Sequence, residues 1–113
     1  MGPARIPAND LSGLKELSTL VVSNMGLNGP IPESTGELGS LRVLYLDGNE
    51  LNGSIPLSFR KQEKLSELRL ENNKLEGLTP FGKEMVWRMG RKLRFENNTA
   101  LSYDVREGTM GWL

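Results

Sequence analysis

The sequence predicts an α/β solenoid, a right-handed coil of about four stacked units forming a short horseshoe segment, with one curved parallel sheet on its concave face. Three observations predict it. First, six columns of residues recur every 24 positions: Leu17, Leu41, Leu65; Leu20, Leu44, Leu68; Val22, Leu46, Leu70; Leu27, Leu51, Leu75; Gly29, Gly53, Gly77; and Pro32, Pro56, Pro80. Second, inside a unit Leu44 and Leu46 alternate with Val43, Tyr45 and Asp47, the period-two pattern of a strand with one buried face. Third, a unit this short cannot bury its own apolar stripe, so the units must stack.

Each element of the unit has its own reason. Asn49 and Asn73 follow the strands, where a side-chain amide can bond backbone groups of the neighbouring turn as the chain bends. The Ile-Pro pairs at 31–32 and 55–56 hold the return segment extended, because proline also biases its predecessor away from helix. Segments 33–40 and 57–64 then read as short convex turns of helix. The register divides the single domain, residues 1–113, into a partial first repeat (1–16), full repeats at 17–40, 41–64 and 65–88, and a degenerate repeat with a C-terminal cap (89–113). Leu93, Phe95 and Leu101 continue the apolar columns there after a slip of a residue or so. Met25 takes the asparagine position of the first full repeat, and Thr35 and Gln62 put polar groups into convex core columns.

Composition narrows the function. With 37% hydrophobic and 25% charged residues the chain is globular in type, and 14 basic residues balance 14 acidic ones. That balance gives no electrostatic pull toward a phosphate backbone, so no nucleic-acid partner is expected. The absence of Cys and His removes the common zinc sites, thiol nucleophiles, disulfides and every histidine-dependent triad. No phosphate loop, nucleophile elbow or kinase motif is present. The expectation is a non-enzyme with no cofactor and no metal. No apolar run approaches the roughly 18 residues of a membrane span, and the first residues form no signal peptide, so this chain is not expected to insert directly into a membrane.

The string from Leu41 to Pro56, Leu-Arg-Val-Leu-Tyr-Leu-Asp-Gly-Asn-Glu-Leu-Asn-Gly-Ser-Ile-Pro, resembles the plant-specific leucine-rich repeat of receptor kinases and receptor-like proteins. Its distinguishing Leu-x-Gly-x-Ile-Pro portion stands at 27–32 and 51–56, with a weakened copy at 75–80. The run from Pro80 to Met89 is similar to receptor-like proteins of the Too Many Mouths type, which lack a kinase domain. The resemblance implies a leucine-rich-repeat ectodomain at the cell surface or plasma membrane, or extracellular, membrane-anchored. It implies a signalling role and a secreted peptide or a leucine-rich-repeat receptor kinase ectodomain as partner. Ser102 stands where the family's cap has a Cys, and the family's leader, N-terminal cap and most of its repeats are missing from the sequence, which reads as truncated.

In the predicted sheet the strand residues that face away from the core form rows across the concave side. One runs Val21, Tyr45, Arg69, Arg94; the next Ser23, Asp47, Glu71, Glu96; a third Thr19, Val43, Glu67, Lys92. Val43, Tyr45, Asp47, Arg69, Glu71, Arg94 and Glu96 are therefore the candidate partner-binding residues, with Val43 and Tyr45 as anchors and the arginines reaching an acidic or C-terminal group. The competing reading is a solvated face on which Arg69 and Arg94 neutralise Asp47, Glu71 and Glu96. Met85, Val86, Trp87 and Met89 form an apolar helical patch, either a cap on the last repeat or a docking surface. Sequons at Asn52 and Asn97 are candidate glycosylation acceptors if the chain is secreted. Solenoid ends without caps offer a different function, self-association or stacking on a parent receptor as a structural fragment.

Overall fold

The computed structural model of the chain describes residues 11–102. Residues 1–10 of the expected partial repeat and 103–113 of the expected cap lie outside them. Each turn contributes two short strands. In chain order they are β1 (Thr19–Val21), β2 (Asn28–Pro30), β3 (Val43–Tyr45), β4 (Glu50–Gly53), β5 (Glu67–Arg69), β6 (Lys74–Leu78), β7 (Leu93–Arg94) and β8 (Ala100–Ser102). The return path of the turns carries helix α1 (Glu33–Gly36), a 3-10 turn at Leu57–Lys61 and helix α2 (Lys83–Met89). All strand pairs are parallel, in two sheets of order β1-β3-β5-β7 and β2-β4-β6-β8.

The first sheet is the expected one, and its register is that of the repeat: Leu20 pairs with Leu44 and Leu44 with Leu68. The second sheet adds to the single sheet read from sequence. Its first strand is Asn28-Gly29-Pro30, all three of whose residue types are poor strand formers. It forms because stacking lays the segment along β4, and as the outermost strand it tolerates a proline whose missing N–H no neighbour needs. Pairing here is staggered, Gly29 with Leu51 and Gly53 with Leu75. In the last turn Leu68 pairs with Leu93 and Gly77 with Leu101, so the slip is one residue in the first sheet and two in the second. Lys92, expected to continue a row of the first sheet, sits instead in a 3-10 turn at Gly90–Lys92.

Between the sheets and the return path lies a stack of leucines. Leu41, Leu44, Leu46, Leu51, Leu65, Leu68, Leu70 and Leu75 are fully buried, joined by Leu38, Ile55 and Phe59. The eight fully buried leucines are repeat-column residues, and burying one such side chain contributes about 1.5–3 kcal/mol. The polar columns are buried too. Gln62 donates its Nε2 to the carbonyls of Gly36 (2.7 Å) and Leu38 (3.0 Å), capping the return segment of the preceding turn. Arg88 does the same one turn later, from Nε to Leu65 O (2.9 Å) and from Nη2 to Gln62 O (3.0 Å). Thr35 is fully buried with no partner for its hydroxyl. At Gly36 an added Cβ would lie 2.2 Å from Ser58 Oγ, so glycine is what lets α1 press against the next turn.

The asparagines tie the turns together. Asn73 donates to Leu46 O and Leu70 O, both at 3.0 Å, and accepts from Leu51 N at 3.0 Å. Asn49 likewise donates to Val22 O (3.0 Å) and Leu46 O (2.9 Å) and accepts from Met25 N and Leu27 N. In the slipped last turn the role passes to Asn98, which donates to Leu70 O and Phe95 O and accepts from Leu75 N. Replacing Asn73 with Ala would leave the Leu51 N–H unpaired, while Leu46 O keeps Asn49 and Leu70 O keeps Asn98. At about 1–3 kcal/mol for an unsatisfied buried group, the Asn73→Ala protein is expected to lose about that much stability, measured by urea unfolding.

Candidate protein-binding face

The outward rows of the first sheet assemble largely as the repeat spacing implies. Thr19, Val43 and Glu67 are register partners, as are Val21, Tyr45, Arg69 and Arg94. Beyond the strand ends the row Ser23, Asp47, Glu71, Glu96 continues through backbone bonds from Asn24 N to Asp47 O, Gly48 N to Glu71 O and Asn72 N to Glu96 O. Neighbours within a row are therefore about 4.7–4.9 Å apart, close enough for side chains to pair directly. At the rim Asn24, Asn72 and Asn97 adopt positive φ, and Gly48 (φ 71°) takes the same place because a Cβ there would lie 1.9 Å from Asn24 Oδ1.

The side chains on this face satisfy one another. The Tyr45 hydroxyl donates to the Glu67 carboxylate. Arg69 lies over the Tyr45 ring, its guanidinium carbon 4.4 Å from the centroid, and approaches Glu67 at 3.7 Å. Cation–π contacts of this kind contribute about 0.5–1 kcal/mol where exposed. Glu67 was absent from the candidate residues, although its place beside Val43 and two residues before Arg69 was readable. Arg94 bridges Glu71 (Nε–Oε2 3.3 Å) and Glu96 (Nη2–Oε2 3.2 Å). Ser23 Oγ donates to Asp47 at 2.6 Å.

The expected neutralisation thus occurs at Arg94, while Arg69 turns to Glu67 instead of to Asp47. Glu71 differs from its place among the candidates: it is buried, 5% exposed, with Oε2 facing Arg94 and Oε1 unpartnered. It holds Arg94 rather than offering a carboxylate to solvent. The most accessible apolar surface of the face is at Val21, 52% exposed, next to half-buried Val43 and Tyr45.

The pairing moves the titration of three groups. Its hydrogen bond to Glu67 raises the Tyr45 phenol above its ordinary value of 10.0, with desolvation adding to the effect. Glu96 is lowered, chiefly by its own backbone N–H and also by the Arg94 guanidinium, and Arg94 is raised by its hydrogen bond to Glu96. Asp47, Glu71 and Glu96 form no metal-holding group, and none exists among the described residues.

Elsewhere, α2 splits the apolar patch. Met85 and Met89 are buried against the core and Val86 packs beside it, while Trp87 is 69% exposed on the outer side. A shallow cleft on the return-path side is lined by Arg60, Gln62, Lys83, Met85 and Arg88, but Arg60 and Arg88 spend their guanidinium bonds on backbone carbonyls. Both sequon asparagines are exposed, Asn52 on β4 and Asn97 at the rim of the first sheet.

The family described as Leucine Rich Repeat matches residues 40–62, the turn that carries the complete motif. The fold is a leucine-rich-repeat fold. Among solved structures the chain is similar to a pollen receptor kinase 3, with 30% identity and a TM-score of 0.76 over 88% of this chain and 47% of that one. It is similar to the BIR3–SERK2 complex from Arabidopsis thaliana, with 32% identity and a TM-score of 0.69 over 88% of this chain and 50% of that one. A third is the Arabidopsis receptor kinase HAESA in complex with the peptide hormone IDA and the co-receptor SERK1, with 29% identity and a TM-score of 0.64 over 88% of this chain and 16% of that one. The chain spans about half the length of the first two and a smaller part of the third. No curated protein sequence matches it. Its leucine-rich-repeat structural neighbours are thus plant receptor proteins, and no described helix is long and apolar enough to cross a membrane.

The Tyr45–Glu67 bond is open to direct test. A raised phenol pKa means the folded state holds the proton more tightly, so this contribution to stability is present below pH 10 and lost as pH rises through the folded value. Following the Tyr45 ring by NMR, the titration should end above that of a free tyrosine, and Glu67→Gln should bring it down.

Proposed function

We propose that the chain is a non-catalytic interaction module of a plant cell-surface receptor-like protein, binding a secreted peptide or a partner receptor ectodomain through the first-sheet face. The observation that carries this reading is the row Val21, Tyr45, Arg69, with Val43 beside it: a partly exposed aromatic ring held flat by a guanidinium, next to apolar side chains, on a rigid strand ladder. Aromatic and arginine side chains in such settings dominate binding energy. Tyr45, Val43 and Arg69 are the contact residues. Arg94, Glu71 and Glu96 form a closed charge cluster that sets the edge of the face, and Asp47, bonded to Ser23, lies between the two. Support also comes from two structural neighbours, one solved as a complex of two named partners and one with a peptide hormone and a co-receptor. The likeness of the Pro80–Met89 run to kinase-lacking receptor-like proteins of the Too Many Mouths type makes that group the proposed source.

The test is a binding panel of purified secreted plant peptides and leucine-rich-repeat ectodomains against the chain, read by biolayer interferometry. Tyr45→Ala is expected to weaken binding by tenfold or more, and Arg94→Ala by threefold or less. A partner whose affinity ignores both Tyr45→Ala and Arg69→Ala would show that binding lies elsewhere.

A second reading has its own observation. At the two ends of the described stack the apolar columns are incompletely covered: Leu17, Leu20 and Val22 at one, Leu93, Phe95 and Leu101 at the other, with Met25 60% exposed. A second copy or further repeats stacked there would complete the core. Light scattering across a concentration series separates the readings: end-stacking requires mass to rise with concentration, and a constant monomer mass removes it.

A further inference from the structure

The outer side of the second sheet carries a modification sequence that the binding face does not use. Asn52-Gly53-Ser54 is an Asn-x-Ser sequon, and Asn97-Asn98-Thr99 is a second of the same kind. The fold treats them differently. Asn52 stands exposed on β4 between buried Leu51 and half-buried Gly53, in register with exposed Pro30 on one side and exposed Lys74 on the other. Its amide engages no other described side chain. The same outer side holds Glu50, paired with Lys74 at 4.0 Å, and exposed Glu76, so the surface beneath a sugar there is polar. Ser54, the sequon hydroxyl, is exposed as well.

Asn97 is committed in three ways. Its backbone is at φ 61°, its Nδ2 donates to Asn72 Oδ1 at 2.5 Å, and the middle residue of its sequon, Asn98, carries the inter-turn ladder of the last turn. It also adjoins Glu96 and Arg94, so a glycan on it would rise beside the first-sheet face.

We infer that Asn52 is an N-glycan acceptor and that the outer side of the second sheet is the sugar-covered side of the molecule, leaving the Tyr45 face clear. In the transfer, Asn52 Nδ2 attacks C1 of a lipid-pyrophosphate-linked oligosaccharide. The N–C1 bond forms as the C1–O bond to pyrophosphate breaks, the lipid pyrophosphate leaves with the bonding electrons, and one amide proton is lost. The substituted amide keeps a single N–H. Asn52 gives up no bond to a described residue by this, whereas Asn97 must keep its remaining hydrogen on Asn72 and carry the sugar in place of the other. The inference rests on the cell-surface reading, because only a chain that enters the secretory pathway meets the donor.

The experiment expresses the full chain behind a secretory leader in plant cells and compares intact mass before and after peptide-N-glycosidase. The expected result is a glycan at Asn52, lost in Asn52→Gln and in Ser54→Ala and retained in Asn97→Gln, with Tyr45-dependent binding within twofold of the unglycosylated bacterial protein. Translation of the same variants with microsomes gives the mass shift whether or not a variant folds. Absence of sugar at Asn52 in both systems, sugar at Asn97 alone, or loss of Tyr45-dependent binding on glycosylation at Asn52 overturns the inference. Binding by the bacterial protein is read separately, so a failure of the interaction reading is distinguishable.

Discussion

Everything in this fold hangs on the asparagine that reaches back one turn. A stacked pile of leucines supplies most of the free energy, but apolar contact is non-directional and sets no register. Where the chain leaves each strand of the first sheet it must bend, and backbone groups at a bend inside a core have no strand partner. Asn49, Asn73 and Asn98 supply those partners, taking carbonyls from two turns and returning an acceptor to the earlier one. The sheets, the leucine stack and the alignment of the surface rows all follow from holding that bend in place. On the return path Gln62 and Arg88 do similar work with longer side chains, which is why a polar group stands at Gln62 in a column otherwise suited to leucine.

The surface consequence is a face in which charge is largely consumed. Arg94 is clamped between two carboxylates, Asp47 is bonded to a serine, and Glu67 takes both a phenol and a guanidinium. Exposed pairs of this sort add only about 0–1 kcal/mol each to stability. Their larger effect is to fix rotamers. A tyrosine ring pinned by a donor–acceptor bond at its tip and a cation over its face has little freedom left to lose when a partner arrives. The charged end of the row is self-satisfied, and the end around Val21, Val43 and Tyr45 leaves apolar area partly exposed.

Much of this is legible in the sequence because a repeat makes the same statement several times. Leu44 or Asn73 alone would say little; at fixed spacing each predicts its own burial. The slipped last turn shows where that logic thins. A strict 24-residue spacing points to Asn97 as the ladder residue; the slip carried by Leu93 and Phe95 moves the place to Asn98, and the pairing of Leu68 with Leu93 fixes that slip at one residue. The second sheet was hidden for a different reason. Asn28-Gly29-Pro30 has no strand propensity of its own, and its pairing is a product of the stack. Glu71, a candidate for the face by its alternation, is buried, because alternation assigns a side and not a depth. A long arginine from the next turn, folding over it, removes it from solvent.

The backward reach of the asparagines means that the unit of sequence and the unit of structure are out of phase. A turn is complete only when its successor is present, so each repeat's integrity is lodged partly in the next one's codons. A recombination event that copies one 24-residue unit between neighbours keeps every bend supplied, because the duplicate carries the asparagine its predecessor needs. An exchange that brings in a successor with Met25 at that position removes the supply from the turn before it. Growth of such arrays by duplication is thus chemically tolerant in one direction and selective where a unit without that asparagine is joined.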